Sequence, residues 1–214
     1  MQKIAEWLFV LRFENFWSLV YVYPFEKIII DTSSPANKEQ LTLSFKKLSL
    51  EIEDINYVFL THSHFDHIWN SYLFKESTII TSTRTVDIMK EKQDKYMLFH
   101  KFWENVPDFT DLNFQNAWTE RFEIYETPGH MEWSICIYDN KLKILFSGDT
   151  IFSKDVLPKL DLPWSNEKAL KESYQKLYEK NLNVDLLCPW HMHITRMTDF
   201  NSYIQNLENK LNHI

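Results

Sequence analysis

Three imidazoles and one carboxylate stand close together in the segment THSHFDH, which spans residues 61–67. Side chains two positions apart on an extended strand point the same way, so His62 and His64 can reach one metal ion. Asp66 and His67 need a turn, and a helix that begins at DHIWN would direct them to a second position close by. A polar surface cluster is the alternative interpretation. The spacing favours a metal site.

Four further polar side chains follow apolar runs that are typical of strands. Asp31 follows KIII, His130 follows ETPG, Asp149 follows LFSG and His191 follows LLCPW. If these strands lie side by side, the four groups share one rim with THSHFDH, and such loop-bearing rims usually carry the chemistry of a protein. Asp31 is expected to orient ligands by hydrogen bonds. His193 stands two residues beyond His191 and is the alternative to it.

The chain contains only two glycines, where average usage would give roughly fifteen. They are Gly129 and Gly148, and each directly precedes a candidate ligand. Glycine is needed where the backbone takes a positive φ or approaches another group closely. We therefore expect two strand-end turns that aim His130 and Asp149.

The candidate ligands are imidazoles and carboxylates, without thiolate. Such ligands suit Zn²⁺ and also Fe or Mn. Seven of them are too many for one tetrahedral ion, so we expect two divalent metal ions. The expected ligands of the first ion are His62, His64 and His130, those of the second are Asp66, His67 and His191, and Asp149 lies between the two ions.

Apolar periodicity predicts the elements that carry these groups. The chain opens with the strands AEWLFVLRF, FWSLVYVYP and EKIIID, and a helix follows in NKEQLTLSFKKL. The strand INYVFLTHS then runs into the motif, a short helix leaves it, and TIITST forms the next strand. A long helix is predicted over residues 84–103. The aromatic loop 104–118 is either a substrate lid or plain surface covering.

A second β block repeats this arrangement. Its predicted strands are RFEIYETP, WSICIYD, KLKILFSGD and VDLLCPW. Helices are predicted in EKALKESYQKLYEK, with Ser165 as the N-cap, and in FNSYIQNLENKL, with Thr198 as the N-cap. Two β blocks that each carry helices predict an α/β fold, a four-layer αββα sandwich. We expect a single domain over residues 1–214.

Composition and charge narrow the class of partner. The chain of 214 residues is 44% hydrophobic and 16% aromatic, with a formal net charge of −7. The negative charge argues against nucleic-acid binding and favours a small-molecule substrate. Charged residues interrupt the apolar runs near the N-terminus, which predicts neither a signal peptide nor a membrane span. Cys136 and Cys188 lack C-x-x-C spacing and are expected to be buried thiols of a reduced, cytoplasmic protein.

These motifs resemble the metallo-β-lactamase fold superfamily. Its H-x-H-x-D-H signature appears as THSHFDH, its later His as His130 in TPGH, its later Asp as Asp149 in SGDT, and its last His as His191 in PWH. The early Asp of the family matches Asp31 in IIIDTS. The segments run in family order from about residue 5 to residue 195, so the resemblance covers nearly the whole chain. It implies the αββα sandwich and its metal site.

The chain departs from the superfamily at several positions. Members often have a glycine soon after the early Asp, where this chain has Ser33, and another before the last His, where it has Trp190. These two differences imply altered loops near the second ion. Asp149 argues against a true β-lactamase, because those members carry Cys or no bridging ligand there. Lactonases of this fold have a Tyr soon after the last His, whereas the next Tyr here is Tyr203. No named substrate subgroup matches.

The resemblance implies a metal-dependent hydrolase. In such an enzyme a metal-bridging hydroxide attacks an ester, thioester or lactone-type small molecule, and a metal ion stabilises the developing oxyanion. Asp66, as the expected catalytic residue, would also orient the attacking water. One alternative is a mononuclear iron persulfide dioxygenase-like oxidoreductase, and another is a phosphodiesterase or nuclease of the same fold. A non-catalytic module stabilised by metal is a third.

Overall fold

The structure, a computed structural model, describes residues 1–98, 106–115 and 121–212. The chain divides into two compact units, Met1–Ala117 and Trp118–Ile214. Each unit combines a β-sheet with helices. The expectation of one domain over residues 1–214 stays a prediction.

The first unit contains a seven-stranded sheet whose strands follow chain order. Its strands are β1 (Gln2–Ala5), β2 (Leu8–Arg12), β3 (Leu19–Tyr23), β4 (Ile28–Ile30), β5 (Tyr57–Phe59), β6 (Thr78–Ile80) and β7 (Asn113–Phe114). Neighbours from β1 to β4 pair antiparallel, whereas those from β4 to β7 pair in parallel. Because β4 and β5 run the same way and end together, the residues that follow them lie side by side.

The helices of the first unit are short. They are α1 (Lys38–Lys47), α2 (Phe65–Ile68), α3 (Thr83–Lys90) and α4 (Asp94–Met97). The prediction of one long helix over 84–103 is wrong where the chain is described, since α3 ends before Lys92, which adopts a left-handed φ of 50°. Residues 99–103 of that prediction lie outside the described residues, as do 104, 105 and 116–118 of the predicted lid loop.

The second unit contains a five-stranded sheet in the order β12-β11-β10-β9-β8. Its strands are β8 (Phe122–Glu126), β9 (Ile135–Asp139), β10 (Ile144–Gly148), β11 (Leu186–Pro189) and β12 (Thr195–Arg196). β10 pairs in parallel with β11 and antiparallel with β9. Every residue of β9, β10 and β11 is buried, which explains why these segments read as continuous apolar runs.

Two amphipathic helices complete the core of the second unit. α5 (Glu167–Glu179) buries Leu170, Tyr174 and Leu177, which recur at helical spacing on one face. α6 (Phe200–Leu211) contributes a similar apolar face to the same core. In the described part of the chain, no helix is long and apolar enough to cross a membrane.

The N-caps of these helices differ from the predictions by one residue. Asn166 caps α5 in place of Ser165, and Asp199 caps α6 in place of Thr198. In each case the side chain accepts a hydrogen bond from a backbone amide three residues on. All four residues are of types that cap helices well, so the sequence alone does not show which of two adjacent residues is the N-cap.

Candidate metal centre

Asp31 and Thr61 meet at the ends of the parallel strands β4 and β5. The Thr61 amide donates to Asp31 Oδ1 at 2.7 Å, and the Thr61 hydroxyl donates to Oδ2 at 2.7 Å. Both residues are buried. Burial raises the pKa of the Asp31 carboxyl, although the contacts with His67 and Thr61 partly offset this effect. Strand pairing therefore fixes a buried carboxylate at this edge of the sheet.

The Asp31 carboxylate also holds His67. His67 Nδ1 lies 2.9 Å from Asp31 Oδ2, so the ring donates its Nδ1 proton there and presents Nε2 as a potential metal ligand. The backbone carbonyl of His67 accepts hydrogen bonds from the Thr32 amide at 2.6 Å and from the Thr32 hydroxyl at 2.9 Å. Asp31 thus orients a candidate ligand through hydrogen bonds, as expected.

His62 and His64 lie next to each other, as their two-residue spacing predicted. His62 Nε2 is 3.0 Å from His64 Nδ1, and both side chains are buried. The Thr61 oxygen is 3.2 Å from His62 Nδ1. Since the Thr61 hydroxyl proton already points to Asp31, its oxygen accepts the His62 Nδ1 proton. His62 Nε2 and His64 Nδ1 are then the two ring nitrogens that suit a shared ion.

Asp66 lies in the short helix α2, beside His67. Its carboxylate Oδ2 is 4.0 Å from His67 Nε2. Asp66 retains 8% exposure, whereas the neighbouring His67 has none. The turn predicted between the H-x-H pair and the D-H pair is present, because α2 begins directly after His64. A carboxylate at the solvent edge of a ligand group is suited to orienting water.

Asp149 stands between two imidazoles in the second unit. Its Oδ2 atom is 3.6 Å from His130 Nε2 and 3.6 Å from His191 Nε2. Asp149 directly follows β10, and His191 lies two residues after the end of the parallel neighbour β11. His193, the alternative ligand, is exposed. The geometry supports His191 over His193.

The turn that carries His130 is held tightly by the rest of the second unit. His130 Nδ1 donates to the Lys159 carbonyl at 2.9 Å, which makes Nε2 the ring nitrogen that faces Asp149. Gly129 is required beside it, because a Cβ there would lie 2.5 Å from the Leu170 Cβ of α5. The expectation of a glycine turn that aims His130 is explained by this close approach of α5.

Four tryptophans, Trp69, Trp133, Trp164 and Trp190, lie near the motif segments in the sequence, and three of them pack in the interior. Trp69, Trp133 and Trp190 are buried, and Trp164 is half-buried. Core packing therefore accounts for Trp69, Trp133 and Trp190. Trp190 occupies a position where the superfamily often has glycine, and its backbone does not take a positive φ. Ser33, at the other such position, does take the left-handed conformation, with a φ of 65°.

The donor set fits divalent metal ions. The side chains that offer ligand atoms are His62, His64, Asp66, His67, His130, Asp149 and His191. Imidazole nitrogens and carboxylate oxygens suit Zn²⁺, Fe and Mn. Both cysteines are buried free thiols, and burial raises the pKa of Cys136 to about 11, which disfavours its thiolate form.

The sequence pattern does not identify the side chains that orient the candidate ligands, which are Thr61, Thr32 and Asn70. Each of them makes a hydrogen bond to a residue 30 or more positions away. One sequence feature could have identified Thr61 as such a residue, namely its position at a strand end directly before the first histidine of the motif.

We compared the chain with protein-family models, known sequences and solved structures. A model of the metallo-beta-lactamase superfamily matches residues 16–191. A probable metallo-hydrolase from Methanocaldococcus jannaschii is 30% identical over 159 residues, which are 73% of this chain and 68% of that protein. The crystal structure of a metallo-beta-lactamase family protein from Thermus thermophilus matches with a TM-score of 0.75 and 19% identity, covering 98% of this chain and 80% of that one. The protein TTHA1623, solved in a di-iron-bound form, matches with a TM-score of 0.70 and 19% identity. The match covers 88% of this chain and 94% of that one.

The chain belongs to the metallo-beta-lactamase superfamily. Its two sheets with their helices have the mixed α/β fold of that family, which confirms the predicted fold class. A probable metallo-hydrolase is among its relatives, and its side chains include groups of His and Asp that could hold a metal ion.

Proposed function

We propose that this chain is a dinuclear metal-dependent hydrolase that cleaves an ester, thioester or lactone bond of a small molecule. The observation that carries the proposal is the position of Asp149 Oδ2, 3.6 Å from both His130 Nε2 and His191 Nε2. One carboxylate oxygen between two imidazoles is the arrangement expected where two ions share a ligand. The proposed ligands are those predicted from the sequence, namely His62, His64, Asp66, His67, His130, Asp149 and His191.

Bound divalent ions would supply a water molecule of lowered pKa and would polarise the scissile carbonyl. Asp66, at the solvent edge of its ligand group, orients the attacking water and accepts its proton. The water oxygen then forms a bond to the acyl carbon, the bond to the leaving oxygen or sulfur breaks, and the leaving group takes up a proton. Asp31 and Thr61 keep the imidazoles of His67 and His62 in the tautomers described above.

The metals, the partners and the compartment belong to the same proposal. We propose two Zn²⁺ ions, with Fe or Mn as the alternatives. The substrate is a small molecule, with no nucleic-acid or membrane partner, since the net charge is −7. The buried free thiols of Cys136 and Cys188 suit the reducing cytoplasm.

Metal stoichiometry and a substrate panel test the proposal. The protein is purified without added metal or chelator, its metals are counted by elemental mass spectrometry, and it is assayed on an aryl ester, an acyl thioester, a lactone and a phosphodiester. We expect two zinc ions per chain and cleavage of at least one acyl substrate. Asp66→Asn should lower kcat by about 10²–10⁴-fold, because a positioned general base contributes that much. His193→Ala, at an exposed position outside the ligand set, is the control and should keep full activity.

Other outcomes would replace the proposal. One iron per chain, with oxygen consumption in the presence of a persulfide, would indicate the dioxygenase-like alternative. Cleavage of the phosphodiester alone, with strongly salt-dependent binding of RNA or DNA, would indicate a nuclease. Firmly bound metal without hydrolysis of any substrate would favour the binding module.

A further inference from the structure

The loop that follows Asp31 is held by an amide side chain from outside the predicted ligand set. Asn70 Nδ2 donates to three consecutive carbonyl oxygens, those of Thr32 at 2.9 Å, Ser33 at 3.2 Å and Ser34 at 2.8 Å. Asn70 and all three loop residues are fully buried. Bulk water therefore does not reach these carbonyls, and the two hydrogens of the Asn70 amide are shared among them. The Ser34 carbonyl also accepts from the backbone amide of Asn37 at 3.1 Å.

The loop that presents these carbonyls has an unusual backbone conformation. Asp31 and Ser33 have φ values of 55° and 65°, in the left-handed region that residues with a side chain rarely adopt. Such strain persists only where the surroundings hold it in place. A second side-chain amide also holds this loop, because Asn37 Nδ2 donates to Ser33 Oγ at 2.9 Å.

The orientation of the Asn70 amide is fixed by its partners. If the amide were reversed, its oxygen would face three carbonyl oxygens, and four acceptors would lie together without a donor. The Asn70 NH₂ group must therefore face the loop. An aspartate has nearly the same shape but would put an oxygen in that place.

The loop is in turn attached to His67. Thr32 donates two hydrogen bonds to the His67 carbonyl, and Asp31 accepts the His67 Nδ1 proton at 2.9 Å. Asn70 lies three residues after His67 in the chain, so the contacts form a closed ring from His67 through the loop to Asn70. Any shift of the loop would move the carboxylate that orients the His67 ring.

We propose that Asn70 is a positioning residue: by gathering the carbonyls of Thr32, Ser33 and Ser34, it keeps Asp31 against His67 and so sets the orientation of that imidazole. The contacts that support this lie entirely within the first unit. Only the consequence for metal binding rests on the proposed function.

The test uses Asn70→Asp, with Ser77→Ala as the matched control. Ser77 is buried in the same unit, and its hydroxyl donates to the Ile55 carbonyl at 2.6 Å, so the control also loses a buried hydrogen bond to the backbone. In the metal-free protein with ¹⁵N-labelled histidine, NMR measures how fast the His67 Nδ1 proton exchanges with water. We expect faster exchange in Asn70→Asp and wild-type exchange in Ser77→Ala.

Zinc titration against a chromophoric chelator gives the second readout. Asn70→Asp should weaken the zinc equivalent held by His67 by about 10–100-fold, the range expected when a residue that orients a metal ligand is changed, and should affect the other equivalent less. Ser77→Ala should bind both equivalents normally. If Asn70→Asp does not fold, Asn70→Ala replaces it, because it removes the donor without adding a negative charge.

The two readouts separate failure of this proposal from failure of the proposed function. Wild-type proton exchange in both Asn70 variants, or equally faster exchange in Ser77→Ala, would overturn the positioning role. A wild-type protein that binds no metal would overturn the proposed function, while the exchange rates would still decide the role of Asn70.

Discussion

The Thr61 oxygen lies close to three other side chains, at 2.7 Å from Asp31 Oδ2, 3.2 Å from His62 Nδ1 and 3.1 Å from His67 Nδ1. A hydroxyl has one proton to donate and two lone pairs that accept, so Thr61 donates to Asp31 and accepts the His62 Nδ1 proton, while Asp31 accepts the His67 Nδ1 proton. Thr61 therefore connects the orientation of His62 to that of His67. The two candidate ligand pairs of THSHFDH are coupled through the residue that precedes them.

Replacing Thr61 by valine tests this coupling at nearly constant volume. Thr61→Val removes the buried donor to Asp31, which should lower the free energy of unfolding by about 1–3 kcal/mol. It should also weaken zinc binding by about 10–100-fold, because His62 and His67 lose their shared partner. Urea unfolding and zinc titration measure the two effects.

Thr61→Ser is the control, since it keeps the hydroxyl and loses only a methyl group. Zinc affinity close to that of the wild type is expected for Thr61→Ser. Equal losses of affinity in the serine and valine variants would show that packing of the methyl group matters and that the hydroxyl does not.

At the scale of elements, the N-terminus of α5 is joined to the turn that carries His130. The Asn166 amide donates to the Gly129 carbonyl at 2.8 Å, and the Asn166 side chain accepts from the Ala169 amide at 2.9 Å. Ser165 has a different role, because its hydroxyl donates to the His130 carbonyl at 2.9 Å. Two adjacent polar residues therefore divide helix capping and turn attachment between them.

Asn166→Ala and Ser165→Ala should separate these roles. Loss of the N-cap in Asn166→Ala should lower the free energy of unfolding by about 1 kcal/mol. Ser165→Ala keeps the cap and should reduce stability less, and it should disturb the amide resonance of His130 more than Asn166→Ala does. Urea unfolding and backbone NMR give the comparison. A larger loss of stability in Ser165→Ala would restore Ser165 as the cap that the sequence predicted.

At the scale of the whole molecule, each of the two units contains side chains of the types that bind metal ions. The first unit provides the residues of THSHFDH, and the second provides His130, Asp149 and His191. Binding to the folded state alone stabilises a protein by mass action. Bound metal should therefore contribute directly to the thermal stability of the chain.

Chelation tests this contribution. Removal of metal by a chelator should lower the Tm, because zinc at about 100 times its Kd adds about 2.7 kcal/mol to the stability of the folded state. Addition of Zn²⁺ should restore the Tm, and Mg²⁺, which prefers oxygen ligands, should not. Differential scanning calorimetry, with metal content measured in parallel, provides the data. An unchanged Tm after complete loss of metal would contradict metal binding selective for the folded protein.

Much of the fold could be predicted because periodicity reports which face of an element is buried. The strands β2 to β6 and the helices α1, α5 and α6 lie within or close to the predicted segments. The exceptions are local, such as the division of residues 84–97 into α3 and α4, where Lys92 takes a left-handed φ. That conformation is rare for lysine, so no residue-type signal predicted it.

The sequence by itself determined which side chains offer ligand atoms and in what pattern, because spacing along a strand sets which residues face the same way. His62 and His64 are adjacent for that reason. Only the tertiary structure decided how these side chains are oriented. The contacts of Asp31 with Thr61, of Asn70 with Thr32, and of His130 with Lys159 join residues far apart in the chain. Such hydrogen bonds depend on strand register and loop conformation, which short-range patterns of residue type do not specify.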